Sequence, residues 1–585
     1  MASIHFKQLH NLDPEHNEQD LRKSIKKPLD SGLYSIFFMQ RLLKNIILLL
    51  LPVNLLAQNS QYFQQEVDYD IQVNLNDELH VLEGTIEIRY QNNSPDTLSE
   101  VIMHLWPNAY LDTQTAFAKQ QLQDGSTTFH FAKSADRGFI DRLDFTVNGI
   151  HLEMEPWEEN VDIAILSLKE NLLPGHEVLI RSPFRVKIPA SFSRLGHIET
   201  SYQISQWYPK LAVYDQAGWH PMPYLDRGEF YSEFGSYQVS ITLPENYVVA
   251  ATGELVSPEE QTFLSQKIKE TQAFVKALDT SYYELLEPFP ASALQRKTLV
   301  YKAEKVHDFA WFADKRFKVL ADTLYIEENR KVACLAFFTN EEAHLWKDAP
   351  RYLKRALKFY SEALGAYPYP QMTAVESIES AGGGMEYPMV TLIGESILAE
   401  ELDAVITHEV GHNWLQGILA FNERAYPWMD EGLNTYFEQL YLQQNYGTNS
   451  RSPLLPPFFQ GNSSYSATET IFYYQSRQQL QQSLNTSSEA LSETNYWLNA
   501  YDLPAHAFRH LETYLGRTSF SILLKGFYQK WQFRHPGPAD FKKYLQEQTT
   551  KDIQWFFDLY FDENPKPNYK IQKVHQQADS IELYL

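Results

Sequence analysis

The chain has 585 residues, 44% of them hydrophobic and 14% aromatic, which is enough apolar material for two to four domains. A formal net charge of −24 at pH 7 argues against nucleic acid or anionic membrane as partners. Cys334 is the only cysteine, so no internal disulfide can form.

In chain order, residues 1–38 are polar and precede Met39. Arg41 and the apolar run Leu42–Ala57 then read as a secretory signal peptide. The run has a basic start, an uninterrupted apolar core (Ile46–Leu51) too short to cross a bilayer, and a small residue, Ala57, before Gln58. Met39 is therefore the expected start and 1–38 an extension. Cleavage is expected after Ala57, with export to a periplasm or exterior and no stable membrane span.

From Val67 the pattern has period two. Val67, Tyr69, Ile71, Val73 and Leu75 alternate with polar residues, and Ile86, Ile88 and Tyr90 repeat the alternation. Tyr237–Leu243 is a later strand, and residues 58–288 are expected to form a β-rich domain. Residues 256–287 read as more helical and end at the Pro288/Pro290 break, which marks the expected boundary. The part from 289 to 450 is expected to hold a strand over Thr298–Tyr301, a helix over Val306–Phe317 and a strand over Val332–Phe338. A long helix over Glu341–Leu364 and a strand over Val390–Ile393 follow. Residues 451–568 read as helical, with helices over Ala505–Leu515, Ser519–Trp531, Ala539–Glu547 and Asp552–Tyr560. Residues 569–585 resemble the first strands of a further β domain.

The chemistry concentrates at His408-Glu409-Val410-Gly411-His412. Apolar residues recur at helical spacing from Leu402 to Ile418, so His408 and His412 share one helix face. Two imidazoles there supply two legs of a tetrahedral zinc site. Glu409 is placed to act as the base on water that the metal activates. Glu431, eighteen residues beyond His412, can return beside the first helix as the third ligand and leave the fourth position open. The expected cofactor is one zinc ion per chain, and the expected reaction is hydrolysis of an acyl bond, most plausibly a peptide.

These residues resemble the aminopeptidase N family of gluzincin metallopeptidases, which includes leukotriene A4 hydrolase. Its Gly-x-Met-Glu-Asn motif stands here as Gly383-Gly384-Met385-Glu386-Tyr387, with Tyr387 replacing Asn. The resemblance implies that Glu386 holds the free α-amino group of a peptide substrate, with Gly383, Gly384 and Met385 beside it. It also implies an oxyanion-stabilising tyrosine, which counting back from Leu515-Gly516 assigns to Tyr501, with Tyr496 as the fallback. By the same resemblance Glu438 orients a zinc histidine, and Ser205-Gln206-Trp207 matches a stretch lining the amino-terminal subsite. Asp430 stands where the family has Asn and receives no role. The implied fold is multidomain α+β: a saddle-like N-terminal β-sandwich, a thermolysin-like α/β core and a mostly helical C-terminal part. The implied function is a zinc aminopeptidase. An endopeptidase or epoxide hydrolase on the same scaffold, or a non-catalytic peptide-binding relative, are the alternatives.

Overall fold

A computed structural model describes residues 62–278, 287–327, 330–378, 383–447, 467–562, 573–577 and 580–584. The expected extension and signal peptide lie outside these residues.

The period-two pattern becomes a twisted nine-stranded sheet. At its centre, β1 (Glu66–Asn76) pairs antiparallel with β2 (Val81–Gln91). Val67, Tyr69, Ile71, Val73 and Leu75 are all buried, so this alternation is one packed face. Outward from β2 lies β3 (Glu177–Lys187), and on the other side β4 (Gly235–Pro244) runs parallel to β1. Tyr69 of β1 and Tyr237 of β4 stack at 4.6 Å between centroids, a cross-strand aromatic pair that fixes register.

The β-rich part does not stop at 288. The helix α1 (Pro258–Ala277) leaves the sheet after the short strand Glu254–Leu255, and the chain returns as β5 (Arg296–Val306), which pairs with both that strand and β4. The helical, polar stretch is therefore an excursion between paired strands, although its composition resembles that of a border. The helix expected over Val306–Phe317 is also corrected. Its centre is β6 (Trp311–Asp314), an inner strand of a four-stranded sheet. All four of its residues are buried, and a strand covered on both faces has no alternation to distinguish it from a buried helix.

The next layer is a five-stranded mixed sheet. Its order is β7 (Lys318–Glu327), β8 (Arg330–Phe338), β9 (Gln371–Glu376), then Val390–Ile393, with Gly384–Tyr387 at the edge. In chain order these last two are β10 (Gly384–Tyr387) and β11 (Val390–Ile393), paired antiparallel. The long helix expected over Glu341–Leu364 is two helices, α2 (Ala343–Trp346) and α3 (Ala349–Ala363). Pro350 lies in the first turn of α3, where its missing N–H costs nothing but forbids continuation from α2.

Helix α4 (Ala399–Leu415) packs on β10 and β11, and α5 (Leu433–Tyr446) packs on α4. Glu401 starts α4 by accepting from the Ile397 and Leu398 amides at 2.9 and 3.3 Å. Beyond lie α6 (Leu503–Leu515), α7 (Arg517–Trp531) and α8 (Pro538–Gln548). The helix expected over Asp552–Tyr560 is a short α-helical turn that continues as a π-helical one, Asp558–Asp562. Lys573–Gln577 and Ser580–Tyr584 form an antiparallel hairpin. The architecture is α+β, with an N-terminal β part, a mixed α/β layer and a helical C-terminal part. No helix among the described residues is long and apolar enough to cross a membrane.

Candidate metal centre and active site

Helix α4 carries His408, Glu409 and His412, and it is held close to α3 and α5 by the absence of a side chain at Gly411. A Cβ there would lie 2.1 Å from Asn434 Oδ1 and 2.2 Å from the Tyr360 hydroxyl. Those two groups are already joined, because Tyr360 donates to Asn434 at 2.9 Å and Asn434 Nδ2 donates to the His408 carbonyl at 2.8 Å.

Glu431 comes from a π-helical turn, Trp428–Gly432, that runs into α5. Tyr501 comes from a second such turn, Trp497–Asp502, that runs into α6. The extra residue in a π turn displaces side chains from the regular helical face, and such turns recur at functional sites. The two turns meet where Gly432 lies against Pro504: a Cβ on Gly432 would be 2.5 Å from Pro504 Cγ. That contact brings the Tyr501 hydroxyl to Glu431, to which it donates at 2.6 Å.

The three expected ligands converge. His408 Nε2 and His412 Nε2 are 3.1 Å apart, and Glu431 Oε2 lies 3.2 and 3.3 Å from them. Tetrahedral coordination with bonds of about 2.0–2.1 Å requires ligand atoms separated by roughly 3.3 Å. Each imidazole donates its other nitrogen to a carboxylate, His408 Nδ1 to Glu438 at 3.1 Å and His412 Nδ1 to Asp430 at 2.9 Å. Both Nε2 atoms therefore present lone pairs to one point, an arrangement that repels unless a cation sits there. The donor set fits zinc. Glu431 brings a buried carboxylate to the same point.

Glu409 is buried beside this point, with one carboxylate oxygen free of any donor among the described residues. Burial raises its proton affinity to a pKa of about 7, suited to a group that takes and returns a proton near neutrality. Gly384 of the edge strand faces it. A Cβ at Gly384 would overlap the Glu409 carboxyl at 2.3 Å, so only glycine lets the strand pass here. Gly383 has φ +122°, a backbone conformation that favours glycine.

Glu386, two residues along β10, offers an oxygen within 4.8 Å of atoms of Glu409 and His412. It is buried, and burial followed by the carboxylates of Glu229, Glu409 and Glu431 pushes its pKa well up, against the pull of His412. Met385 accepts a hydrogen bond on its sulfur from Arg194 Nε at 2.9 Å, and Arg194 also pairs with Glu229. Tyr387, standing where the resembled family has Asn, donates to Gln206 at 3.3 Å and so reaches the β-rich part. Gln206, Glu229, Phe230, Met385, Glu386 and Tyr387 line one cavity. Tyr496 packs edge-on against Tyr501 at 6.1 Å, and it is the Tyr501 hydroxyl that bonds to a metal-ligand carboxylate. Burial, then Glu431, raises the Tyr501 phenol well above its ordinary value, so it remains a donor.

The structure thus gathers His408, Glu409, His412, Glu431, Glu438, Glu386 and Tyr501. Four further groups here carry no sequence signal of their own except one: Asp430 is adjacent to Glu431. Glu229, Arg194 and Glu423 belong to no motif and are brought in by tertiary packing.

Residues 351–560 match the peptidase family M1 domain. The chain is 21% identical over 231 residues to a probable aminopeptidase 1 of Sulfurisphaera tokodaii, covering 37% of this chain and 28% of that protein. It is 20% identical over 263 residues to glutamyl aminopeptidase of Bos taurus, covering 42% and 26%. The matched stretch is thus about a quarter of the length of these relatives. Among solved structures, an M1 zinc metallopeptidase of Deinococcus radiodurans aligns with a TM-score of 0.53 at 14% identity, covering 87% of this chain and 95% of that one. Aminopeptidase A of Legionella pneumophila, in complex with aspartic acid, aligns with a TM-score of 0.56 at 14% identity, covering 86% and 50%.

Proposed function

We propose that this chain, whose residues 351–560 match the peptidase family M1 domain, is a zinc metallopeptidase that removes single residues from the free amino-terminus of peptides. The observation that carries the reading is the position of Glu386. It sets a buried carboxylate on a sheet edge, next to the base and a metal ligand, where only a cation at a fixed distance from the reacting carbonyl answers it. A peptide laid along β10 brings that cation as its α-ammonium group. The relatives named as aminopeptidases support the same reading.

His408, His412 and Glu431 would hold the zinc ion, which would supply Lewis acidity to the scissile carbonyl and to water. Glu409 takes the proton from the attacking water and returns it to the leaving amine. Tyr501 donates its phenolic proton in a hydrogen bond to the carbonyl oxygen as charge develops there. Glu386 fixes the ammonium and so the register of the first peptide bond. Asp430 and Glu438 hold the two imidazoles with their Nε2 lone pairs inward. Export, expected from Leu42–Ala57, is part of the proposal, and sequencing the mature amino-terminus checks it: a start at Gln58 supports it.

The test is hydrolysis of amino-acid anilides beside their N-acetylated forms. Cleavage of the free-amine substrate alone supports the reading, and equal cleavage of both contradicts it.

A further inference from the structure

Of the eleven tryptophans, all of them among the described residues, Trp497 alone is exposed. Its exposure is 58%, and it opens the π-helical turn that carries Tyr501. Its indole lies against the phenol: the ring centroids are 5.2 Å apart and the planes 28° from parallel. The Tyr501 ring has a second near-parallel neighbour, the His408 imidazole, at 6.1 Å and 25°. Tyr496 meets Tyr501 and Trp497 edge-on, at 77° and 76°.

The turn itself is anchored without the indole. Leu498, Asn499 and Ala500 are buried, and Asn499 Nδ2 donates to the Gln482 and Ser483 carbonyls at 2.9 and 3.2 Å. Buried Tyr496 is held under the Arg227 guanidinium, 5.9 Å from its centroid. An exposed side chain on a turn fixed by its neighbours adds little to the fold. The contact that distinguishes Trp497 is the one with Tyr501.

The phenol needs such a contact. Its ring swings about the side-chain torsions unless something lies against its faces. The hydroxyl donates to Glu431 at 2.6 Å, but that bond is given up when the hydroxyl turns to the carbonyl oxygen of a substrate. At that moment the ring's direction is kept only by what packs on it. We propose that Trp497 is a positioning residue for Tyr501: its indole keeps the phenol aimed at the metal point and stops it from swinging toward solvent. The indole touches no reacting atom and acts through Tyr501 alone. The inference rests on the role proposed above for Tyr501 and is independent of how the substrate ammonium is held.

The experiment compares wild type with Trp497→Ala, Trp497→Phe, Tyr501→Phe and the double variant Trp497→Ala with Tyr501→Phe, all in the full chain. Steady-state kinetics on a leucyl anilide are read beside zinc content and melting temperature of the same preparations. Trp497→Ala is expected to lower kcat on the order of tenfold, with KM within about twofold of wild type and zinc content unchanged. Trp497→Phe is expected to recover kcat to within about threefold of wild type, because a smaller ring still stacks. In the Tyr501→Phe background, Trp497→Ala is expected to change kcat by less than about twofold, since the hydroxyl it positions is gone. An unchanged kcat in Trp497→Ala, a loss confined to KM, no recovery in Trp497→Phe, or an equal loss in both backgrounds overturns the proposal. If Trp497→Ala does not fold, Trp497→Leu, which keeps apolar bulk without a ring, is read in its place. Tyr501→Phe alone separates the two readings. Full kcat in that variant refutes the role of Tyr501 and this inference with it, whereas a loss there without a loss in Trp497→Ala refutes this inference only.

Discussion

Replacing Glu386 by Gln keeps the shape of the side chain and removes the carboxylate that a bound substrate ammonium would pair with. Glu386 is only 9% exposed, so little water screens what it contacts. A hydrogen bond to a charged group in such a place is worth about 1.5–3 kcal/mol, which corresponds to a loss on the order of ten- to a hundredfold in kcat/KM for free-amine substrates. Zinc content is expected to be unchanged, because the Glu386 carboxylate lies outside the converging trio of His408, His412 and Glu431. The residual activity on N-acetylated substrates is expected to change little, since they bring no ammonium. The assay is steady-state kinetics on a leucyl anilide and its N-acetyl form, with zinc measured in the same preparations. A Glu386→Gln enzyme that retains full zinc and keeps kcat/KM on the free-amine substrate within twofold of wild type refutes the reasoning.

Three other outcomes follow from particular contacts. Tyr501→Phe removes the hydroxyl that reaches Glu431 and is expected to lower kcat about a hundredfold or more, with KM and zinc content near wild type, as read by steady-state kinetics. Gly432→Ala places a Cβ 2.5 Å from Pro504 and is expected to cost about 1–3 kcal/mol in stability and to lower kcat, because it pushes apart the two turns that carry Glu431 and Tyr501. Thermal melts and kinetics check both effects. Burial raises Glu376 from 4.5 to a pKa of about 8 in the folded chain. The folded state thus binds this proton more tightly than the unfolded one, so the stabilisation is full below about pH 4.5 and is lost as pH rises through about 8. Glu376→Gln is expected to flatten the fall in melting temperature across that window.

How much of this was legible in the chain depended on whether the signal was local. His408 and His412 share one helix face by spacing alone, with Glu409 one residue along, and the alternation from Val67 to Leu75 marks a half-buried strand without tertiary knowledge. Glu386 and Tyr501 rested on resemblance, because a lone Glu after glycines, or one tyrosine among 36, has no spacing rule of its own. Trp311–Asp314 was misread because burial on both faces erases periodicity. The border at 288 was misread because the helix Pro258–Ala277 interrupts the sequence between strands that pair. Glu423 was invisible for another reason. An ordinary glutamate in a turn becomes part of the site only when folding buries it with an oxygen within 4.8 Å of oxygens of Asp430 and Glu386. The same holds for Glu229, which lines the cavity, and for Arg194, which pairs with it although 35 positions away in the chain.

The central claim is that His408, His412 and Glu431 hold a catalytic zinc. Metal analysis of the purified chain, coupled to anilide hydrolysis before and after chelation, tests it most directly. The expected result is about one zinc ion per chain, loss of hydrolysis on chelation and recovery on adding zinc, with His412→Ala deficient in both metal and activity. Hydrolysis that survives complete removal of the metal, or full activity in His412→Ala, contradicts the account.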